Sequence, residues 1–426
     1  MNKNLTRKEF ITQSSTLTGG LLLSTILGTT FRSCIGGQEN GPIIVGHQAD
    51  LTGGISSWGY WIHKAAVAAV DEINKVGGIN DRQLKLVVED TETNPTVGQR
   101  KFRKLVNDHR ADFVIGSVHS GVMMATVPLA KELKTLYMPI AMACEATSEK
   151  GNRYIYRMES EVCTQAQAST EWMVKQLAKK WTIVVADYSW GWSHEEMFSH
   201  DIAKKGGEVL AKIRVPVGTK DFSPHLSKIP KDTEGIYFIF FGADSTGFIQ
   251  QLYEHGYRKQ KFTMICTLEA IDVASLGAAV EGMYLVEYFP RQLQYADNAF
   301  NKKLRSLVNV DNEGYEIGNR QRVLAGSHYW ASFQHINLVA EIMKKIEYKN
   351  KKEDTNRLIE ALEDTTSIKQ SYAYPQGDMI LRPQDHQGFH KHWMSKVVNG
   401  KLEVQFAIEP SQVLYNTTVD FTKETF

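Results

Sequence analysis

The sequence predicts an α/β protein of two lobes, each a parallel sheet flanked by helices. Three observations carry this. Compact β-branched runs alternate with segments of helical period along most of the chain. The alternation breaks after Ala141 and restarts at Ala166. The chain has 426 residues, more than one ordinary domain and enough for two cores.

Element by element, Pro42–Ala49 reads as a strand around Ile43-Ile44-Val45, and Trp61–Lys75 as a helix. In that helix Ala65, Ala66, Ala69, Val70 and Ile73 share one face, and Gly77-Gly78 ends it. Strands at Leu84–Glu89, Asp112–Ile115 and Met138–Ala141 alternate with helices at Thr96–Asn107 and Val122–Leu133. The second series has helices Ala166–Ala178, His194–Lys205 and Thr246–His255. Its strands are Thr182–Ala186, Val209–Val215, Gly235–Phe241, Phe262–Cys266 and Gly282–Val286. Helices Asn298–Leu307, Arg320–Ile346 and Asn356–Glu363 follow, and the tail from Tyr372 reads as strands and turns. In open parallel sheets ligands sit beyond the carboxyl ends of the strands. That points to the loops Asp50–Gly59, Gly116–Gly121, Ala141–Thr147, Asp187–Trp192 and Thr267–Asp272.

Composition excludes several functions. Hydrophobic residues at 42% and charged residues at 23% suit a water-soluble globular chain, and a net charge of +1 offers no field for nucleic acid. The run Lys349–Lys352 is short and answered by Glu353 and Asp354, so it reads as a solvated loop. The four cysteines lack CxxC spacing. Cys144 and Cys163 are candidates for a disulfide, whose geometry the sequence leaves open.

The first residues differ from the rest. Lys3, Arg7 and Lys8 precede a weakly apolar run from Leu17 to Thr30, the pattern of an export signal and too short for a membrane span. Thr6-Arg7-Lys8-Glu9-Phe10-Ile11 is similar to a twin-arginine signal with lysine in the second place. Phe31-Arg32-Ser33-Cys34 resembles a lipobox, which makes Cys34 a candidate for lipidation and membrane attachment. Residues 1–41 are therefore read as signal and polar linker, and the protein as exported to the periplasm or the outer face of the membrane.

Five segments carry a family resemblance. They are Leu51-Thr52-Gly53-Gly54 with Ser57-Trp58-Gly59 and the helix through Asn74; Glu89-Asp90 with Asn94-Pro95; Ile115-Gly116-Ser117 with Ser120; Asp187-Tyr188-Ser189-Trp190-Gly191; and Arg382-Pro383-Gln384-Asp385-His386-Gln387. In this order, from about Pro42 onward, the chain resembles the leucine/isoleucine/valine-binding proteins, the type I periplasmic binding proteins of branched-chain amino-acid ABC importers. The resemblance implies a Venus flytrap: two Rossmann-like lobes joined by three crossover strands, near Met158, Tyr288 and Thr366. The N-terminal lobe would hold 42–158 and 288–365, the C-terminal lobe 159–287 and 366–426.

The resemblance also implies site residues. Trp58 would wall the first loop, and an indole supplies a large apolar face. Ser120, where strand turns to helix, would meet a ligand carboxylate together with backbone N–H groups. His119 would line the pocket beside it. Ala143 would act through its backbone; Met142, Cys144 and Glu145 depart from the family's pattern in this loop, and the acidic Glu145 favours an ammonium or other donors, which leaves the ligand's identity open. Trp190 would close over the ligand from the second lobe. Glu269 would take the ligand's ammonium in a charge-assisted hydrogen bond.

Enzymatic patterns are absent from the sequence. Gly116–Gly121 lacks the spacing of a nucleophile elbow, and His194 and His200 stand six residues apart, so they do not share a helix face. His386, His390 and His392 read as surface histidines, and no cofactor or metal is expected. The implied partners are a small solute (an amino acid, an amide or an aromatic acid) and the permease subunits of an ABC importer. A sensory receptor on the same fold, or a urea/amide- or aromatic-acid-binding relative, is the alternative.

Overall fold

The structure is a computed structural model that describes residues 41–257, 260–264 and 268–426. The expected leader, Cys34 and Cys266 lie outside the described residues. Among the described residues no helix is long and apolar enough to cross a membrane.

The first series forms β1 (Ile43–Ala49), α1 (Ser56–Lys75), β2 (Leu84–Asp90), α2 (Pro95–Asn107), β3 (Phe113–Gly116), α3 (Ser120–Glu132) and β4 (Tyr137–Met138). The four strands make a parallel sheet in the order β2-β1-β3-β4. β1 is buried at six of its seven positions, as a strand covered on both faces must be.

The second series forms α4 (Val162–Trp172), β5 (Lys180–Ala186), α5 (Ser189–Lys204), β6 (Glu208–Val215), a short α6 (Ser223–Leu226), β7 (Gly235–Ile239), α7 (Gly242–Glu254), β8 (Lys261–Met264) and β9 (Tyr284–Glu287). Then come α8 (Ala299–Leu307), β10 (Tyr315–Glu316), β11 (Asn319–Val323), α9 (Gly326–Lys345), α10 (Lys351–Glu363), β12 (Ser367–Ile368), β13 (Met379–Arg382), β14 (Gln387–His390), β15 (His392–Val398) and β16 (Lys401–Ile408). The second sheet has seven strands, in the order β16-β15-β9-β8-β7-β5-β6; the last two strands of the chain join it antiparallel. α9 packs on α1, where Ser332 Oγ donates to the carbonyl of Ile62 at 2.7 Å.

Several helices start earlier than their apolar periodicity suggests. α1 begins five residues before Trp61 and α5 five before His194, because first turns built of serine, tryptophan and glycine do not extend the apolar period of the helix. The expected helix from Arg320 opens instead as a strand: β11 pairs antiparallel with β10, and α9 begins only at Gly326.

Met158 lies on the segment between β4 of the first sheet and β5 of the second, and Tyr288 just after β9. Thr366 precedes a separate small sheet. β12, β13 and β14 satisfy one another in a small antiparallel sheet, and β14 is bridged to Arg157. His386 contacts Glu363 at 3.0 Å and the Ile155 carbonyl at 2.8 Å. The chain enters the seven-stranded sheet only at His390–His392. The tail also returns to the first lobe, where Arg153 Nη1 donates to the Glu424 carbonyl at 2.8 Å.

The junction is polar and buried. Arg157 is fully enclosed; its guanidinium donates to Gln387 Oε1 at 2.8 Å and to the carbonyls of Ala141 and Ala143 at 3.0 and 2.9 Å. His386, His390 and His392, expected at the surface, are all buried here. Alternating lysine and histidine reads as a solvent edge, but the two lobes meet over this segment. A disulfide joins Cys144, beyond β4, to Cys163 in the first turn of α4, and so spans the first crossing.

One local device recurs in both lobes. Ser57-Trp58-Gly59 and Ser189-Trp190-Gly191 each lie in the first turn of the first helix after a strand. A Cβ on Gly59 would lie 1.9 Å from the Asp50 carbonyl oxygen, and one on Gly191 would lie 1.9 Å from that of Ala186. Each glycine lets its helix dock against the strand end, and the preceding indole is aimed at the space between the lobes. Gly191→Ala should therefore lower stability by about 1–3 kcal/mol, the cost of overpacking. Gly247→Ala in α7, where the nearest atom lies at an ordinary 3.4 Å, should be neutral or stabilising by about 0.5–1 kcal/mol. Urea unfolding of both variants checks this.

Candidate functional site

The carboxyl ends of the two sheets face each other, and their loops build the site. From the first lobe, Asp50 just past β1 holds the loop after β3: its Oδ2 accepts from Ser117 Oγ at 2.5 Å and from the Val118 N–H at 2.7 Å. Ser117 Oγ in turn accepts from the His119 N–H at 3.0 Å. Sequence reading did not single out Asp50; an aspartate closing a buried strand was its one signal. His119 caps α3, its Nδ1 accepting from the Val122 N–H at 3.2 Å. Burial lowers its pKa to about 4, so the ring is neutral.

A small cavity of about 40 Å³ lies between the lobes. Ile55, Trp58, Val118, Met142 and His328 line it from the first lobe, Tyr188, Trp190 and Phe241 from the second. The His119 ring stacks on Tyr188 across the gap, centroids 4.9 Å apart. Trp58 Nε1 donates to Glu269 Oε1 at 3.0 Å, and His328 Nε2 lies 3.5 Å from the same oxygen. Glu269 sits in the short turn Leu268–Ala270 after β8.

Trp58 and Trp190 thus line one cavity, and Trp58 carries Glu269 at its back. Glu269 is fully buried, and burial raises its pKa to about 7 against the opposing pull of His328. Its Oε2 and the Trp190 Nε1–H are both buried without a hydrogen-bond partner. Each such group costs about 1–3 kcal/mol while unsatisfied.

The remaining expected residues are placed differently. Ser120 is buried, and its Oγ accepts the N–H groups of Met142 and Ala143 at 3.3 and 3.2 Å. Its hydroxyl organises the next loop. Ala143 uses its backbone as expected, but toward Ser120 and Arg157. Glu145 accepts from Ser193 Oγ at 2.6 Å, a second link between the lobes. It faces a separate cavity of about 640 Å³, bounded by α5 and the tail around Tyr415. Trp192 is half exposed and donates to Asp187 Oδ1 at 2.7 Å, away from Trp190.

His328 was missed by sequence reading. It lies in the first turn of α9, inside a stretch that reads as uninterrupted helix, and no motif marks it.

The buried carboxyl of Glu269 has a measurable consequence. With its folded pKa raised from 4.5 to about 7, the native state holds a proton that the unfolded chain gives up between those values. Its effect on stability is therefore neutral below 4.5, turns unfavourable as pH rises, and is complete above about 7. Wild type should lose stability relative to Glu269→Gln across that window. Paired urea titrations at several pH values check the sign.

The family described as periplasmic binding protein matches residues 42–401 of the chain. Among curated relatives, "Leu/Ile/Val-binding protein homolog 3" of Brucella melitensis is 28% identical over 50% of this chain and 58% of its own length. The "Leucine-, isoleucine-, valine-, threonine-, and alanine-binding protein" of Pseudomonas aeruginosa is 28% identical over 45% of this chain and 51% of its own. The chain thus spans about half the length of these relatives. Among solved structures, an ABC-transporter solute-binding protein from R. palustris in complex with benzoate superposes with a TM-score of 0.74 at 21% identity, covering 90% of this chain and 100% of that one. LivJ from Streptococcus pneumoniae, in complex with isoleucine, gives 0.69 at 20% identity, covering 86% and 98%. These structures share the two-lobed fold. The chain belongs to the periplasmic binding protein family.

Proposed function

We propose that this protein is an extracytoplasmic solute receptor that binds a small amino-acid-like ligand between its lobes and delivers it to the permease of an ABC importer, without catalysis. The observation that carries this is the meeting of Trp58 and Trp190, from the two lobes, across one apolar cavity, with Glu269 of the second lobe accepting from Trp58 Nε1. Aromatic walls bind a carbon frame by area. The family and the Leu/Ile/Val-binding relatives support the choice of ligand class.

Aromatic acids are the second reading. Trp58, Tyr188, Trp190 and Phe241 surround the cavity with rings, and structural neighbours were solved with benzoate and 4-hydroxybenzoate. In this proposal Ser120 and Ala143 shape the wall from behind, His119 borders it, and Glu145 steadies closure through Ser193. Residues 1–41 are the removed leader and linker, and Cys34 is the attachment point to the membrane.

A thermal-shift panel of the proteinogenic amino acids, simple amides and hydroxybenzoates tests the class. A binder at 100 times its Kd should stabilise the protein by about 2.7 kcal/mol. Saturation should also leave the radius of gyration no larger than without the binder, and smaller if the free lobes are open. No shift across the panel defeats the reading. For an amino-acid ligand, Glu269→Gln should weaken binding by roughly 10- to 150-fold, since hydrogen bonds to charged groups contribute about 1.5–3 kcal/mol. Mass spectrometry of protein from its own host should show the leader removed, and Cys34→Ala should release the protein from membranes.

A further inference from the structure

The loop that borders the small cavity through Met142 is covalently bound to a helix of the other lobe. Ala141–Thr147 follows β4 of the first sheet. α4 rides on the second sheet, where its Trp172 ring packs on Tyr284 of β9 and Phe406 of β16, with centroids 5.0 and 5.5 Å apart. The disulfide of Cys144 and Cys163 joins the two, with Cα atoms 6.1 Å apart. Each side is also fixed within its own surroundings. The buried Glu161 carboxylate accepts from the N–H groups of Cys163 and Thr164 at 2.7 and 2.8 Å, which sets the first turn of α4. Ser120 and Arg157 hold the root of the loop. Weaker links run beside the disulfide: the Val162 N–H donates to the Met142 carbonyl at 3.0 Å, and Gln165 Nε2 donates to Met142 Sδ at 3.6 Å.

We propose that the Cys144–Cys163 disulfide is a redox-set tether of the solute site: oxidised, it makes the Ala141–Thr147 loop travel with α4, and reduced, it lets the loop stay behind, so that solute affinity falls. Hydrogen bonds break and re-form as lobes turn, whereas a disulfide keeps its Cα atoms within about 7 Å of each other. Cys144 must therefore follow α4 through any rotation of the lobes. Its neighbours in the chain are carried with it. Met142 forms part of the cavity wall, and Glu145 accepts from Ser193 Oγ of α5 at 2.6 Å. One covalent bond thus couples the position of the second lobe to the wall of the cavity and to a link that holds the lobes together.

The bond is also within reach of a reductant. Both cysteines border the cavity of about 640 Å³ beside α5 and the tail, a space of the size that takes a small molecule. A dithiol supplies the two electrons and two protons of the step. One of its thiolates attacks a sulfur of the pair, the S–S bond breaks, and the other cysteine leaves as a thiolate that takes up a proton. The second thiol of the reductant then displaces the first cysteine. The products are the thiols of Cys144 and Cys163 and the reductant's own disulfide. Exchange with an oxidised dithiol runs the same steps backwards.

The effect on affinity rests on the solute-receptor reading, and a ligand-free arm separates the two. The folded protein is treated with dithiothreitol without denaturant, and its thiols are located by alkylation and mass spectrometry. Cys144 and Cys163 should both be alkylated. Hydrogen exchange should then quicken by about tenfold or more across residues 141–147 and stay unchanged across β5. In Cys144→Ser/Cys163→Ser the loop should exchange quickly from the start, and dithiothreitol should add nothing. A pair that resists reduction until the protein unfolds, or a loop that exchanges no faster once reduced, overturns the proposal. Equal quickening in β5 marks a general loss of stability and overturns it as well. So does a response of the double variant to dithiothreitol, which would place the effect at another cysteine. The second arm is calorimetric titration of oxidised and reduced protein with L-leucine and with benzoate. Whichever probe binds should bind about fivefold or more weakly to the reduced protein. Equal affinity in the two states overturns the control of the solute site. If neither probe binds, the solute-receptor reading suffers and the first arm still decides the tether.

Discussion

A buried carboxylate cannot stay without donors, and this single constraint ties the two lobes together at Glu269. Taking an ionised carboxylate out of water costs several kcal/mol even after relaxation. The second lobe brings Glu269 to the cleft in a three-residue turn, and the hydrogen bond it finds comes from Trp58 of the first lobe. The contact therefore exists only while the lobes are together. Other contacts share this dependence: the His119–Tyr188 stack, the Glu145–Ser193 hydrogen bond and the approach of Gly54 to Phe241 all join one lobe to the other. Apolar contact supplies area, whereas Glu269 supplies a register that area alone would not fix.

Behind the cleft, the junction solves a problem that two-sheet proteins share. Where a chain leaves one sheet for another, its backbone groups lose their ladder partners and must be satisfied otherwise. Arg157 takes the carbonyls of Ala141 and Ala143, and Gln387 Nε2 donates to the carbonyl of Glu159 at 2.8 Å. Gln376 Nε2 does the same for Tyr288 and Lys391, each at 2.9 Å. All three crossings are thus held by long polar side chains. Such hydrogen bonds can re-form in a slightly different geometry, which suits a segment about which lobes turn better than interlocked methyl groups would.

The parallel sheets were legible because both faces of their strands are covered, and so they read as continuous apolar runs; Ile43-Ile44-Val45 and the five buried residues of β7 are examples. Trp58 and Trp190 were legible as part of a resemblance, but the physical signal is the glycine that follows each. That glycine is the reason the tryptophan can reach the cleft, and its repetition in the two lobes went unread. Ser120 was placed correctly at a strand-to-helix turn; where its hydroxyl points depends on the path of the Met142–Ala143 loop, which no local pattern encodes. His328 and His390 show the limit of local reading. Both lie near Glu159, more than 100 positions away, and a histidine in a helix turn looks the same whether or not Glu159 faces it. The start of α9 was misplaced for a related reason: Arg320, Gln321 and Arg322 form helices well alone, but here they pair with β10.

The arrangement also explains how a family fold can change what it reads while keeping its frame. The frame consists of Asp50, which anchors the Ser117–His119 loop, Ser120, which anchors the Met142–Ala143 loop, and Arg157, which anchors the crossing. None of these groups borders the cavity. The residues that do border it are mostly side-chain tips on those anchored loops, so their size and polarity can vary without disturbing a strand. His328 is the exception, because it lies beside the buried carboxylates Glu159 and Glu269. A substitution at Phe241 or Met142 alters the shape of the space. One at Glu269 or His328 alters a buried row of titratable groups that links the second lobe to Glu159 beside the first crossing.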